Sequence, residues 1–231
     1  MTTILDFASR RFVGGHRGYP AKELENTLPS IAAALESGVD VVEVDVQTTL
    51  DNVVVLNHDE TLERTFGTSI NVRKSTWSQL KKVEKGRYRL TTLREALEYV
   101  AGRAGVFIEV KNPVDTELVI ETVRETGAEK WTAVISFFDE VVSKVPWYKG
   151  LVYSKPPGRV IDAKNLGCHF VLPHFRLATN KAVALAHRLG LRLVAWTIND
   201  VPTAVSMLER GVDGLATDRV EDIKKVVDKW R

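Results

Sequence analysis

Eight short β-branched runs alternate with segments of helical period along the chain, which predicts an α/β protein of the (β/α)8 TIM-barrel class. Parallel strands joined by helical crossovers produce this rhythm, and about eight strands are what closure into a barrel requires. One stretch departs from it. Val53-Val54-Val55-Leu56 follows the second run too closely for a parallel crossover, which takes roughly a dozen residues, so a short β-hairpin excursion is expected after strand 2.

In chain order the strand cores fall at residues 12–15, 41–46, 106–110, 132–136, 151–153, 168–172, 192–197 and 214–217. Helical period occupies 28–37, 93–102, 115–127, 138–144, 180–189, 201–211 and 220–229, with a further crossover around 156–165. Several of these segments begin at Asp, Thr or Asn and several end at Gly, as capping chemistry favours. For the hairpin, Asp51-Asn52 as a two-residue turn sets Leu50 opposite Val53, Thr48 opposite Val55, Val46 opposite Asn57 and Asp45 opposite His58. That register places an imidazole across from a carboxylate at the barrel mouth.

A chain of 231 residues, 44% of them hydrophobic, buries a sizeable core, and a single barrel domain spanning 1–231 is the expected organisation. Lys and Arg number 32 against 30 acidic residues, and the basic pairs Arg10-Arg11, Lys81-Lys82 and Lys224-Lys225 are dispersed, so no nucleic-acid partner is expected. No apolar stretch reaches the roughly 18 residues of a spanning helix, and residues 1–12 lack a basic-then-apolar signal layout, so a soluble, unprocessed protein without membrane insertion is expected. The lone Cys168, within an apolar run, fits a reducing, cytoplasmic compartment. No repeat of fixed period is present, which excludes a solenoid.

The polar residues are placed by strand parity. Glu43 and Asp45 share one face of their strand while Val42, Val44 and Val46 share the other; Glu109 and Lys111 likewise oppose Val106, Ile108 and Val110. The C-terminal strand ends, where barrels of this kind carry their active sites, hold His16-Arg17, Glu43 and Asp45, Glu109 and Lys111, Ser136, His174, Trp196-Thr197 and Thr217-Asp218. Pro146-Trp147-Tyr148 precedes a strand and belongs to the opposite end. Three carboxylates suit a hard divalent cation, Mg²⁺ or Ca²⁺, where zinc would call for more His or Cys. The competing reading has them in salt bridges with Arg17 and Lys111 alone, although burying three acids without a cation is costly. His16, between Gly14-Gly15 and Gly18, sits where the backbone turns freely, and with His58 it brackets the acidic strand. His169 is expected to pack within its strand, His187 to lie on a helix face, and His174 to take a structural place at the rim. Thr27 reads as a helix cap, and Trp196 shares parity with Val194 and faces the interior.

Six segments, His16-Arg17-Gly18, Glu25-Asn26-Thr27, Glu43-Val44-Asp45, His58-Asp59, Glu109-Val110-Lys111 and Trp196-Thr197, resemble the glycerophosphodiester phosphodiesterase family in order and approximate spacing. The strand end Gly214-Leu215-Ala216-Thr217-Asp218 closes the series, so the resemblance spans nearly the whole chain. It implies a metal-dependent barrel enzyme that hydrolyses small-molecule glycerophosphodiesters to glycerol 3-phosphate and an alcohol. On this resemblance His16 and His58 are the acid/base pair, Glu43, Asp45 and Glu109 the metal ligands, Arg17 and Lys111 the phosphate holders, and Trp196 a wall of the glycerol side. Asn52 stands where the family usually has Gly, Thr91 where it commonly has Pro, and the stretch 60–90 is shorter than the insertion of many relatives, which bears on substrate range. Phe137 and Phe138 leave room for a lysophospholipase D-like alternative. A non-catalytic phosphate-binding barrel would lack one of the polar groups, and an amidohydrolase would carry a second histidine where Gly18 stands.

Overall fold

The computed structural model describes residues 2–231. Its strands are β1 (Phe12–Gly15), β2 (Val41–Thr48), β3 (Val54–Leu56), β4 (Glu84–Lys85), β5 (Tyr88–Arg89), β6 (Gly105–Val110), β7 (Thr132–Ser136), β8 (Lys149–Tyr153), β9 (Phe170–Pro173), β10 (Arg192–Ala195) and β11 (Gly214–Thr217). Eight of them, β1, β2 and β6 to β11, pair in parallel, and the ring closes because β1 bonds to both β11 and β2. Helices separate the strands, so the (β/α)8 TIM barrel read from the sequence is the observed fold. The crossover around 156–165 contains a short helix, Val160–Asn165.

β3 returns antiparallel along β2 as expected, but the register differs by one residue from that of a two-residue turn. Val46 pairs with Leu56, Gln47 with Val55 and Thr48 with Val54. Thr49 accounts for the difference. Its N–H donates to Val53 O at 2.9 Å and its Oγ1 accepts from Val53 N at 3.0 Å, which leaves Leu50, Asp51 and Asn52 as a three-residue loop. Asn52 takes the left-handed conformation, φ 63°, that such a loop needs at its end. In consequence Asn57, whose N–H donates to Asp45 O at 3.1 Å, takes the place opposite Asp45 that was expected for His58.

Parity sorts the side chains as anticipated. Val42, Val44 and Val46, with Val106, Ile108 and Val110, pack outward against the helices, and burial on both faces explains why these runs are so rich in Val. Inward, Val41, Phe107, Ile135, Val152, Phe170, Leu172 and Val194 fill the barrel. Phe107 meets Phe170 edge-on with ring centroids 4.9 Å apart, forming an apolar floor beneath the C-terminal mouth. The N-terminal end is plugged by helix Ile4–Phe7, whose Ile4 joins the interior cluster together with the capping residue Ala8. Gly105 makes room for the plug, since a Cβ there would stand 2.3 Å from Ile4 Cδ1.

Residues 57–92 form a flap of short elements over one side of the mouth. They have their own small core of Leu62, Phe66, Val72, Leu80 and Leu90 with Val55 of β3. Among the described residues, no helix is long and apolar enough to cross a membrane.

Candidate active site

β1 delivers His16 to the rim through a tight turn. Arg17 and Gly18 both have positive φ, and a Cβ at Gly18 would fall 2.5 Å from Ser30 Oγ, so this corner is open only to glycine. The turn is tied to β2, because the Arg17 N–H donates to Glu43 Oε2 at 2.8 Å. His16 Nδ1 lies 2.7 Å from Asp218 Oδ1, at the end of β11, and Asn199 Nδ2 holds the other Asp218 oxygen at 2.6 Å. With Nδ1 so engaged, Nε2 is the nitrogen left for a ligand. His58, just past β3, repeats the arrangement with its neighbour, Nδ1 to Asp59 Oδ1 at 2.7 Å. The amide of Gln47 fixes this turn by donating to the carbonyls of Asn57, His58 and Asp59.

Between the imidazoles, β2 and β6 bring together the three carboxylates predicted to converge. One oxygen each from Glu43, Asp45 and Glu109 lies within 4.8 Å of the others. Lys111 Nζ is 2.6 Å from Glu109 Oε1 and 3.1 Å from Asp45 Oδ1, and Arg17 Nε is 3.0 Å from Asp45 Oδ2. Asn26 clasps Asp45 from the remaining side, Nδ2 donating to Oδ2 at 3.0 Å and Oδ1 accepting the Asp45 N–H at 3.1 Å.

These ion pairs do not complete the compensation. Neither cation reaches the Glu43 side chain, whose Oε1 is buried with no hydrogen-bond partner, and Asp45 Oδ1, equally buried, has only the ion contact to Lys111. Burial, followed by the charge of Asp45, pushes the Glu43 carboxyl up to about 8. Glu109 is raised for the same reasons, in the same order. Burial works to raise Asp45 as well, but Lys111 and Arg17 outweigh it and hold that carboxyl below its ordinary value. An all-oxygen cluster with surplus negative charge and an orphaned acceptor is the donor set of a hard divalent cation. The residues present therefore fit one.

The cluster opens into a cavity of about 120 Å³ lined by His16, Arg17, Glu43, His58, Glu109 and Lys111 on its polar side. Its other side is apolar: Phe107, Ile135, Phe137, Val152, Leu172, Trp196 and Ala216. Trp196 is anchored by Nε1 donating to Leu172 O at 2.8 Å and meets Phe137 edge-on at 5.8 Å. All eight residues singled out from the sequence stand together here, Asp45 as the buried partner of Arg17 and Lys111.

The model of the glycerophosphoryl diester phosphodiesterase family matches residues 16–145 and 134–222. The chain belongs to this family. The glycerophosphodiester phosphodiesterase of Caldanaerobacter subterraneus subsp. tengcongensis is 28% identical over 243 residues, covering 95% of this chain and 99% of that protein. An Oleispira antarctica phosphodiesterase solved with the product sn-glycerol-3-phosphate has 25% identity and a TM-score of 0.87, covering 96% of this chain and 98% of that one. The glycerophosphodiester phosphodiesterase of Thermotoga maritima has 29% identity and a TM-score of 0.84, over 94% of this chain and 98% of that one.

Within this member of the glycerophosphoryl diester phosphodiesterase family, three contacts go beyond the sequence reading. Asp218 pairs with His16, Asn26 clasps Asp45, and Arg64 bonds to both Asp59 and Glu25. The first two lie in quoted segments, but no signal marks Arg64. His187 and His174 take the places expected of them, whereas His169, expected within its strand, precedes β9, which begins only at Phe170. The His169 ring meets Tyr148 edge-on, His187 bonds Asp213 at 2.9 Å from helix Asn180–Arg188, and His174 lies tilted against Phe175 and edge-on to Trp196 at the rim.

Proposed function

We propose that the protein hydrolyses glycerophosphodiesters to glycerol 3-phosphate and an alcohol, with His16 and His58 as the acid/base pair. The observation that carries this reading is the cluster of Glu43, Asp45 and Glu109, oxygens within 4.8 Å, on a cavity walled by both imidazoles. These three carboxylates would hold Mg²⁺ or Ca²⁺, which when bound supplies positive charge against the anionic phosphoryl oxygens. Arg17 and Lys111, both lining the cavity, donate N–H bonds to the same oxygens and orient the diester. One imidazole takes the proton of the attacking hydroxyl, which belongs either to water or to the glycerol 2-position; attack by the latter gives a cyclic phosphate that a water then opens to glycerol 3-phosphate. The other donates a proton to the departing alkoxide as the P–O bond breaks. Each such transfer contributes about 10²- to 10⁴-fold. Asp218 and Asp59 orient the two rings, each through Nδ1. The product complex of the Oleispira relative supports the substrate class.

The whole chain, 1–231, is read as one functional barrel, and the buried thiol of Cys168 supports a cytoplasmic location. His16→Ala and His58→Ala test the acid/base assignment. Each is expected to lower turnover by about 100-fold or more with the melting curve unchanged, and near-normal turnover in both would remove it.

A second reading rests on Phe137. Exposed by 37% while lining the cavity beside Trp196, it extends the apolar wall outward to solvent, as a lipid-tailed alcohol would require. Comparing turnover of glycerophosphocholine with that of a lysophospholipid separates lysophospholipase D-like activity from the first reading.

A further inference from the structure

His58 and Arg17 stand on different loops, yet their acidic partners meet on a single side chain. Arg64 Nε donates to Asp59 Oδ2 at 2.6 Å, while Nη1 and Nη2 donate to Glu25 Oε2 and Oε1 at 2.7 and 2.8 Å. Asp59 turns its other oxygen to His58 Nδ1 at 2.7 Å, and Glu25 Oε1 accepts from Arg17 Nη1 at 2.8 Å. Arg17 Nε then lies 3.0 Å from Asp45 Oδ2. A continuous series of charge contacts thus runs His58, Asp59, Arg64, Glu25, Arg17, Asp45. It joins one proposed acid/base group to one proposed phosphate holder.

We propose that Arg64 is a positioning residue that sets His58 and Arg17 relative to each other, acting through Asp59 and Glu25. The inference rests on the reaction proposed above. Only a guanidinium fits the place, because its planar fork offers donors in fixed directions toward two carboxylates at once, where an ammonium offers a single point of charge. A purely structural role, pinning helix Glu63–Phe66, is poorly motivated. That helix is anchored without Arg64 by buried Thr65 and Phe66, Phe66 packing in the flap core, and it ends at left-handed Gly67. Arg64 itself is half-exposed, with 47% of its side chain open to solvent. Ion pairs of that exposure add little to stability, so geometry is what the series conserves. Without Arg64, Glu25 keeps Arg17 as its remaining cationic partner among the contacts described, and draws it away from a phosphate. Asp59 loses the donor that holds it, and His58 loses its fixed orientation.

The test is steady-state kinetics of the Mg²⁺-supplied enzyme on glycerophosphocholine for wild type, Arg64→Met and Arg64→Lys, with melting curves recorded alongside. Arg64→Met is expected to lower kcat by about 10- to 100-fold and to raise KM with the melting temperature near that of wild type, the scale at which supporting groups act on a site. Arg64→Lys is expected to restore only part of the loss. Millimolar guanidinium ion, able to enter a half-exposed gap, is expected to raise the activity of Arg64→Met and not that of wild type. Kinetic constants of Arg64→Met within about threefold of wild type, or full recovery in Arg64→Lys, would overturn the proposal. If Arg64→Met fails to fold, Arg64→Lys decides by the same constants: a fall in kcat with a rise in KM supports the bridge, and wild-type values overturn it. A wild type inactive on glycerophosphodiesters would instead overturn the reaction, a separate outcome read from the unmutated protein.

Discussion

Asp218 Oδ1, at the end of β11, lies 2.7 Å from His16 Nδ1, at the end of β1, and so fixes which nitrogen of that ring faces the cavity. The pairing also sets the charge of the ring. Burial works to lower the His16 pKa, but the Asp218 hydrogen bond and the nearby Glu43 outweigh it, and the imidazolium is favoured above its ordinary value. Asp218 is in turn held below its ordinary value: burial raises it, and the bond and charge of His16 more than offset that.

Replacing Asp218 with Asn removes the charge and keeps the shape. We expect kcat to fall about 10- to 100-fold with KM little changed, because the ring loses its orienting acceptor. The limb of the pH–rate profile governed by His16 should move to lower pH, since the group that raised its pKa has gone. A profile superimposable on that of wild type would contradict this.

Cation binding should depend on pH in a definite direction. Glu43 without a cation holds its proton to about 8, and Glu109 also titrates above its ordinary value, so binding below that pH must displace protons. Apparent Mg²⁺ affinity, measured by titration calorimetry, should therefore rise as pH increases toward about 8. The stability of the cation-free protein runs the other way. Between the ordinary carboxyl value of 4.5 and about 8 the folded state binds more protons than the unfolded chain, so this group's contribution declines as pH rises through that window. The gain in melting temperature on adding Mg²⁺ should accordingly be larger above the window than within it. Equal gains would contradict the assignment of Glu43 as a ligand.

Much of this site is legible in the sequence because strand parity is a rigid rule. Once Val42, Val44 and Val46 face the helices, Glu43 and Asp45 have nowhere to point but inward, and Glu109 and Lys111 follow by the same logic. The hairpin register was less legible: a single hydroxyl, Thr49 Oγ1, converts a two-residue turn into a three-residue loop. Helix Ile4–Phe7 and the flap helices Glu63–Phe66 and Trp77–Leu80 are four residues each, too short to show a hydrophobic period. Arg64 lies in that region, and its two acidic partners are 5 and 39 residues away in sequence, so only folding reveals the bridge.

The turn after β1 makes a prediction about backbone. Gly18 has φ 87°, and a Cβ there would fall 2.5 Å from Ser30 Oγ and 2.7 Å from Ser30 C, whereas Gly190, φ 74°, has no atom within 4 Å of a built Cβ. Gly190→Ala should cost about 1 kcal/mol for the left-handed backbone alone. Gly18→Ala should cost more than that, by about 1–3 kcal/mol of added overlap, and should raise KM by displacing Arg17. Urea denaturation of the two variants checks the order, which equal losses would contradict.

The apolar wall predicts a selective effect. Phe137→Ala removes the ring that meets Trp196 edge-on at the solvent side, so turnover of a lysophospholipid should fall more than that of glycerophosphocholine. Equal losses on the two substrates would place no lipid tail against Phe137.

The proposed reaction requires that the buried carboxylates of Glu43, Asp45 and Glu109 hold a cation. The most direct measurement is release of glycerol 3-phosphate from glycerophosphocholine by protein stripped exhaustively with EDTA, before and after Mg²⁺ or Ca²⁺ is returned. No release is expected from the stripped protein, with recovery on addition of the cation. Undiminished release after stripping would contradict it.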